Sequence, residues 1–176
     1  MKEKVLLKAV VVFLVKDNDV LLAQKINKDK EEIKIAEDMK NGYGGGIELG
    51  ETPKKAAKRE VWEESNHRII LREEDLELRA VVYCHNRKND GKIFKCKLYV
   101  FTVSKFEGTA EDSDEMINAT WFPQDNIPFS QMVPTDADWL PRVLKGELLI
   151  ARVFLGNSQK IKLKKTQIKM VKNLPK

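Results

Sequence analysis

The sequence predicts an α+β fold, a mixed β-sheet with helices packed against it, and three observations carry that prediction. Apolar runs rich in β-branched residues recur along the chain, as strands require; only the stretches Pro53–Ser65 and Ala137–Leu144 carry helix-start chemistry; and the first of these follows a Gly-rich turn, Asn41-Gly42-Tyr43-Gly44-Gly45-Gly46. A length of 176 residues fits one domain, residues 1–176, with a real core, and 42% hydrophobic with 34% charged residues is the composition of a soluble globular protein.

The elements follow in chain order. Val5–Val15 is a β-branched strand that carries Lys8 and lacks a small-residue cleavage site, so it is not a signal peptide. A turn at Lys16–Asp19 leads to a paired strand, Val20–Lys25. Asn27–Lys40 is polar with few structural signals and is expected to be a flap over the site. Leu76–His85 and Lys92–Val103 alternate as strands joined by hairpin chemistry at Asn89-Asp90-Gly91. Thr120–Phe122 is a short strand, Thr135 or Asp136 opens a last helix that Pro141 breaks early, and Leu148–Phe154 returns as strand. The alternation of Lys160–Lys165 predicts an edge strand with a lysine face within a basic tail, residues 158–176.

Charge and cysteines narrow the function. A net charge of +5 suits an anionic ligand, and the lysine-faced tail, read as edge protection, does not favour nucleic acid. No apolar run reaches membrane-spanning length, so no membrane partner is expected. Cys84 and Cys96 have no metal or redox spacing, which predicts free thiols and a cytoplasmic protein; a monomer is expected.

The stretch Gly45–Asn66 carries the chemistry. Thr52 caps a helix, Pro53 suits its first position, and Asn66, tolerant of the left-handed conformation, ends it. Glu60, Glu63 and Glu64 stand at i, i+3 and i+4 on one face, where like charges repel unless a cation sits among them. Hard oxygen donors with no His or Cys favour Mg²⁺ or Mn²⁺, and carbonyls of the Gly-rich loop, Gly45 included, can help hold the ion. Arg59 is placed to pair with Glu51 and tie loop to helix.

This stretch resembles the Nudix box, G-x5-E-x7-R-E-U-x-E-E-x-G-U, through Gly45, Glu51, Arg59, Glu60, Val61, Glu63 and Glu64. At average residue usage chance gives such a match on the order of once in 10⁸ starting positions. Asn66 replaces the last Gly of the box and His67 its final aliphatic residue. The resemblance implies the Nudix fold, a mixed sheet sandwiched between helices (α/β/α), and Mg²⁺-dependent hydrolysis of a nucleoside diphosphate linked to a further group. It also implies Glu63 and Glu64 as principal metal ligands and Glu60 as base or additional ligand.

The passage Ser113-Asp114-Glu115-Met116, Trp121-Phe122, Asn126-Ile127-Pro128-Phe129, Met132-Val133-Pro134-Thr135-Asp136 and Trp139 resembles the animal MutT-type oxidised purine nucleoside triphosphatases. That likeness implies Glu115 at the metal site, Asn41 and Asp136 at the base, and cleavage of a small nucleotide substrate such as 8-oxo-dGTP. Lys25, Gly44 and Gly45 complete the expected substrate contacts. Val133 stands where those enzymes have a stacking tryptophan and Thr135 where they have a first aspartate, so purine binding is weakened or stacking passes to another ring; Tyr43 and Tyr83 are candidates, with core the better assignment for each. Other Nudix substrates, such as dinucleoside polyphosphates or capped RNA, and a non-catalytic binding module remain alternatives.

Overall fold

A computed structural model describes residues 7–26 and 36–175. Strands β1 (Leu7–Lys16) and β2 (Asp19–Lys25) form a hairpin whose turn places Asp17 at a φ of +55°. β3 (Lys40–Asn41) leads to the Gly-rich loop and helix α1 (Pro53–Glu64); then come β4 (Glu77–Arg87), β5 (Ile93–Val103), β6 (Met116–Pro123), helix α2 (Asp136–Leu144), β7 (Leu149–Leu155) and β8 (Gln167–Met170). The sheet runs β3-β2-β1-β5-β4-β7-β8, with β6 paired to β2. The β1–β5 and β4–β7 pairs are parallel and the others antiparallel, so the sheet is mixed, as expected.

The central strand explains the two-sided core. Val10, Val12 and Leu14 of β1 pack with Ala56, Ala57 and Val61 of α1, while Val11 and Phe13 pack with Trp139, Leu140 and Val143 of α2. A strand buried on both faces reads as an unbroken apolar run, which is how Val10–Leu14 reads. The helices therefore cover opposite faces of the sheet, which is the predicted α/β/α sandwich.

Helix α1 begins and ends where its capping residues place it. The Thr52 hydroxyl accepts from the Lys55 N–H at 3.2 Å, Pro53 opens the helix, and Asn66 turns left-handed at a φ of +57°.

Four expectations about elements are corrected. Pro141 does not break the last helix: α2 runs through it to Leu144, because burying Trp139, Leu140 and Val143 against the sheet outweighs the ~3 kcal/mol that an internal proline costs. The short strand at Thr120 begins four residues earlier, at Met116, where the acidic loop conceals the alternation. Most of the expected flap, residues 27–35, lies outside the described residues, but its last part is not a flap. Ala36 is buried, the Asp38 N–H donates to the Lys25 carbonyl at 2.8 Å, and Lys40 is paired in β3.

The fourth correction concerns Lys160–Lys165, which forms no strand. Ser158 and Gln159 take φ values of +54° and +61°, turning the chain so that only one bridge, Leu155↔Lys162, forms, and the strand that pairs with β7 is β8. Its lysines serve locally: Lys162 Nζ lies 2.6 Å from Asp138 Oδ2, and Lys164 lies over the Phe154 ring. No helix among the described residues is long and apolar enough to cross a membrane.

Candidate active site

The Gly-rich loop is laid onto β1 as an irregular extra strand. Val12 N–H donates to the Tyr43 carbonyl at 2.7 Å and Val10 N–H to the Gly45 carbonyl at 2.9 Å. A Cβ at Gly44 would lie 2.1 Å from the Val10 carbonyl oxygen, and one at Gly45 would lie 2.6 Å from Glu60 Oε1. The glycines are thus required by close approach, first to the sheet backbone and then to a carboxylate of α1. Gly45→Ala is expected to keep the fold while displacing the Glu60 side chain, cutting activity at least tenfold with little change in thermal midpoint; a steady-state assay beside a melt checks it.

Arg59 joins loop to helix more broadly than the expected pair. Its Nε lies 2.8 Å from Glu51 Oε1 and its Nη2 2.9 Å from Glu51 Oε2, a bidentate pair, while Nη2 also donates to the Gly46 carbonyl at 3.0 Å. Its Nη1 reaches Glu60 at 2.7 Å and Glu63 at 3.2 Å. The Arg59 hydrogen bonds hold the Glu51 carboxyl below its usual range. A double-mutant cycle, Glu51→Gln and Arg59→Ala, should show coupling of about 1–3 kcal/mol in stability, with Arg59→Ala the worse single change because it also frees Glu60 and Glu63.

The three glutamates of α1 differ in their surroundings. Glu60 and Glu64 turn inward and are buried, whereas the Glu63 side chain is 49% exposed. Burial pushes the Glu60 carboxyl up against the pull of Arg59, and burial pushes Glu64 up to about 8, opposed by Lys25 and the Gly44 N–H and aided by Glu60 and Glu115. Glu64 Oε2 accepts from the Gly44 N–H at 2.7 Å. Its Oε1 lies 3.7 Å from Lys25 Nζ, close enough for attraction but too far for a hydrogen bond, and is buried without a hydrogen-bond partner.

This donor set fits a divalent cation. Inward-facing carboxylates that burial drives towards protonation, one oxygen left unpaired, and no imidazole or thiol among them are what a hard cation would satisfy. Among the described residues, however, no group of acidic side chains already stands in coordinating array, since Arg59 engages Glu60 and Glu63.

A cavity of about 440 Å³ brings the sequence-distant residues together. Lys25, Asn41, Gly44, Gly45, Arg59, Glu60, Glu63, Glu115 and Asp136 all line it; Glu64 lies behind Gly44 and Glu51 behind Arg59. The remaining wall is mostly apolar, from residues such as Val82, Leu98, Val133, Val153 and Trp139, with Thr135 and Gln159 as polar members. Asn41 Oδ1 accepts from the Gly42 N–H at 2.8 Å, which leaves its amide N–H groups for a ligand.

Burial pushes the Asp136 carboxyl up to about 8, with a smaller push from Asp138. Thr135 supplies no carboxylate beside Asp136, and the neighbouring charge comes instead from Asp138, whose oxygen is held by Lys162 and Thr166. Neither stacking candidate lines the cavity. Tyr43 is buried on the α1 face of the sheet and Tyr83 packs on that same face, while the rings that line the cavity are Phe94 and Trp139. Sequence reasoning also missed Gln159, which lies beyond every motif.

An α/β/α sandwich whose first helix carries buried glutamates under a Gly-rich loop defines a class of protein, and residues 5–143 match the NUDIX domain family model. The chain belongs to the NUDIX family. Over 107 residues it is 36% identical to the oxidized purine nucleoside triphosphate hydrolase of Danio rerio, covering 60% of this chain and 62% of that protein. Its Mus musculus counterpart is 32% identical over 105 residues, with coverage of 60% and 62%. The chain thus matches under two thirds of the length of these curated relatives. In structure it is similar to a mutator MutT protein from Bacillus halodurans, with a TM-score of 0.73 at 24% identity over 93% of this chain and 97% of that one. A MutT protein from Methanosarcina mazei gives a TM-score of 0.60 at 16% identity over 80% and 94%. Both structures attest the fold.

Proposed function

We propose that the protein is a Mg²⁺- or Mn²⁺-dependent pyrophosphohydrolase that cleaves oxidised purine nucleoside triphosphates such as 8-oxo-dGTP to the monophosphate and pyrophosphate. The observation that carries this reading is the single cavity that joins the acidic face of α1 to Asn41 and Asp136. The names of the two curated relatives support the substrate class.

Glu60, Glu63, Glu64 and Glu115 would hold the cation, which when bound neutralises phosphate charge and acidifies water. Glu60, beside the cavity and raised by burial, is the residue placed to take a proton from attacking water or to add a further ligand. Lys25 reaches the same wall and offers its ammonium to the phosphate chain. Arg59 fixes Glu60 and the loop through its bonds to Glu51 and the Gly46 carbonyl. Asn41 and protonated Asp136 present donors to the base edge, and Phe94 or Trp139 offers a ring face in place of the tryptophan absent at Val133. The free, buried thiols of Cys84 and Cys96 accord with work in a reducing cytoplasm.

The test is product analysis with Mg²⁺ and a panel of 8-oxo-dGTP, 2-oxo-dATP, dGTP, a dinucleoside tetraphosphate and capped RNA. Pyrophosphate release with highest kcat/KM on 8-oxo-dGTP is expected. Preference for the tetraphosphate or the cap would move the protein to another Nudix substrate, and no hydrolysis of any would make it a binding module.

A further inference from the structure

Among the described residues, the one polar side chain of the cavity wall that comes from beyond the family-matched residues 5–143 is Gln159. It sits in the turn after β7, where Ser158 and Gln159 are both left-handed, a conformation that residues with a side chain adopt at a cost and keep only when their surroundings hold it. Part of that hold is visible. The Gln159 amide donates through Nε2 to Asn86 Oδ1 at 3.0 Å, and Asn86 is itself buried near the end of β4. With Nε2 so engaged, the amide carbonyl Oε1 is left as an acceptor on the stretch of wall away from the α1 glutamates. The Asn41 amide is a donor on the same wall, and Trp139, whose Nε1 is buried with no hydrogen-bond partner among the described residues, lines it too.

We infer that Gln159 is a specificity-determining residue of the cavity, positioned by Asn86, whose carbonyl accepts from a donor on the edge of a purine, as the ring N–H and amino group of a guanine-type base present. A base that offers carbonyl acceptors on one side and N–H donors on another satisfies the wall; a purine without donors leaves Gln159 unpaired. Losing the partner of a polar group that binding desolvates weakens binding, so discrimination follows from the unpaired carbonyl rather than from shape. This deepens the nucleotide-hydrolase reading and rests on it.

The experiment measures kcat and KM of the full chain as wild type, Gln159→Leu and Asn86→Ala. The substrates are dGTP and the deoxynucleoside triphosphate of unsubstituted purine, whose six-membered ring bears no donor, and calorimetric binding of the two monophosphates accompanies the kinetics. Gln159→Leu is expected to lower kcat/KM for dGTP about tenfold, through KM, while leaving the unsubstituted purine at its wild-type value. Asn86→Ala should compress the same ratio by a smaller factor, because it loosens the amide without removing it. Equal losses on both nucleotides, or no loss on dGTP, would overturn the inference and leave the hydrolase reading standing. Failure of the wild type to hydrolyse or bind either nucleotide would overturn both.

Discussion

Glu64→Gln is expected to lower turnover on the order of a thousandfold at saturating Mg²⁺ while the protein stays folded. Glu64 is almost fully buried, its Oε1 has no hydrogen-bond partner, and the Lys25 ammonium is too far away to supply one. A glutamine keeps the acceptor for the Gly44 N–H but is a poor ligand for a divalent cation. Stability should move the other way. The folded carboxyl is raised to about 8, so the fold favours the protonated form, and the stability Glu64 contributes in metal-free protein is lost as pH rises from the ordinary carboxylate range through about 8. Removing the charge therefore raises the thermal midpoint in EDTA at pH 8. Added Mg²⁺ should raise the midpoint of the wild type by ligand linkage and leave that of the variant nearly unchanged. Near-normal hydrolysis by the variant, or equal Mg²⁺ stabilisation of both proteins, would remove Glu64 from the cation site.

Much of this site is legible in the sequence because its spacing is dictated by one helix. Thr52, Pro53 and Asn66 fix where α1 starts and stops, and the i, i+3, i+4 rule then places the glutamates. What the rule does not give is which way each carboxylate faces. Glu60 and Glu64 turn under the loop and Glu63 turns out because Gly44 and Gly45 lack side chains where α1 crosses β1, a tertiary fact. The misread elements fail for a similar reason. At Pro141 and in the lysine tail local propensity points one way, and packing or a left-handed turn decides the outcome. Asn41 and Asp136 were placed in one cavity by family resemblance alone, and Gln159, with neither motif nor helix spacing to mark it, became visible only when the turn after β7 brought it beside them.

Asp136→Ala and Asp136→Asn should separate what this residue does for the base from what it does for the fold. Its carboxyl is raised to about 8 by burial first and by Asp138 second, so at pH 7 it is protonated and can donate to a base acceptor. Binding of the preferred purine should then be flat below pH 7 and weaken as pH passes 8, where the proton is lost. Asparagine keeps a donor and an acceptor and does not titrate, so Asp136→Asn should bind at low pH nearly as well as wild type and show no such weakening. Alanine leaves the base edge unpaired, and kcat/KM for 8-oxo-dGTP should fall roughly tenfold or more while dCTP is spared. For stability the same shift has a definite sign. Because the folded value lies above the unfolded one, ionisation at alkaline pH opposes folding, and between pH 6 and 8 the wild type should lose about 2–3 kcal/mol relative to Asp136→Asn. Denaturant melts of both proteins at those two pH values measure it. A wild type that gains stability on Asp136→Asn over that interval, or a KM that rises as pH falls, would show that the carboxyl is ionised in the cavity and that the base is read by charge rather than by a donated proton.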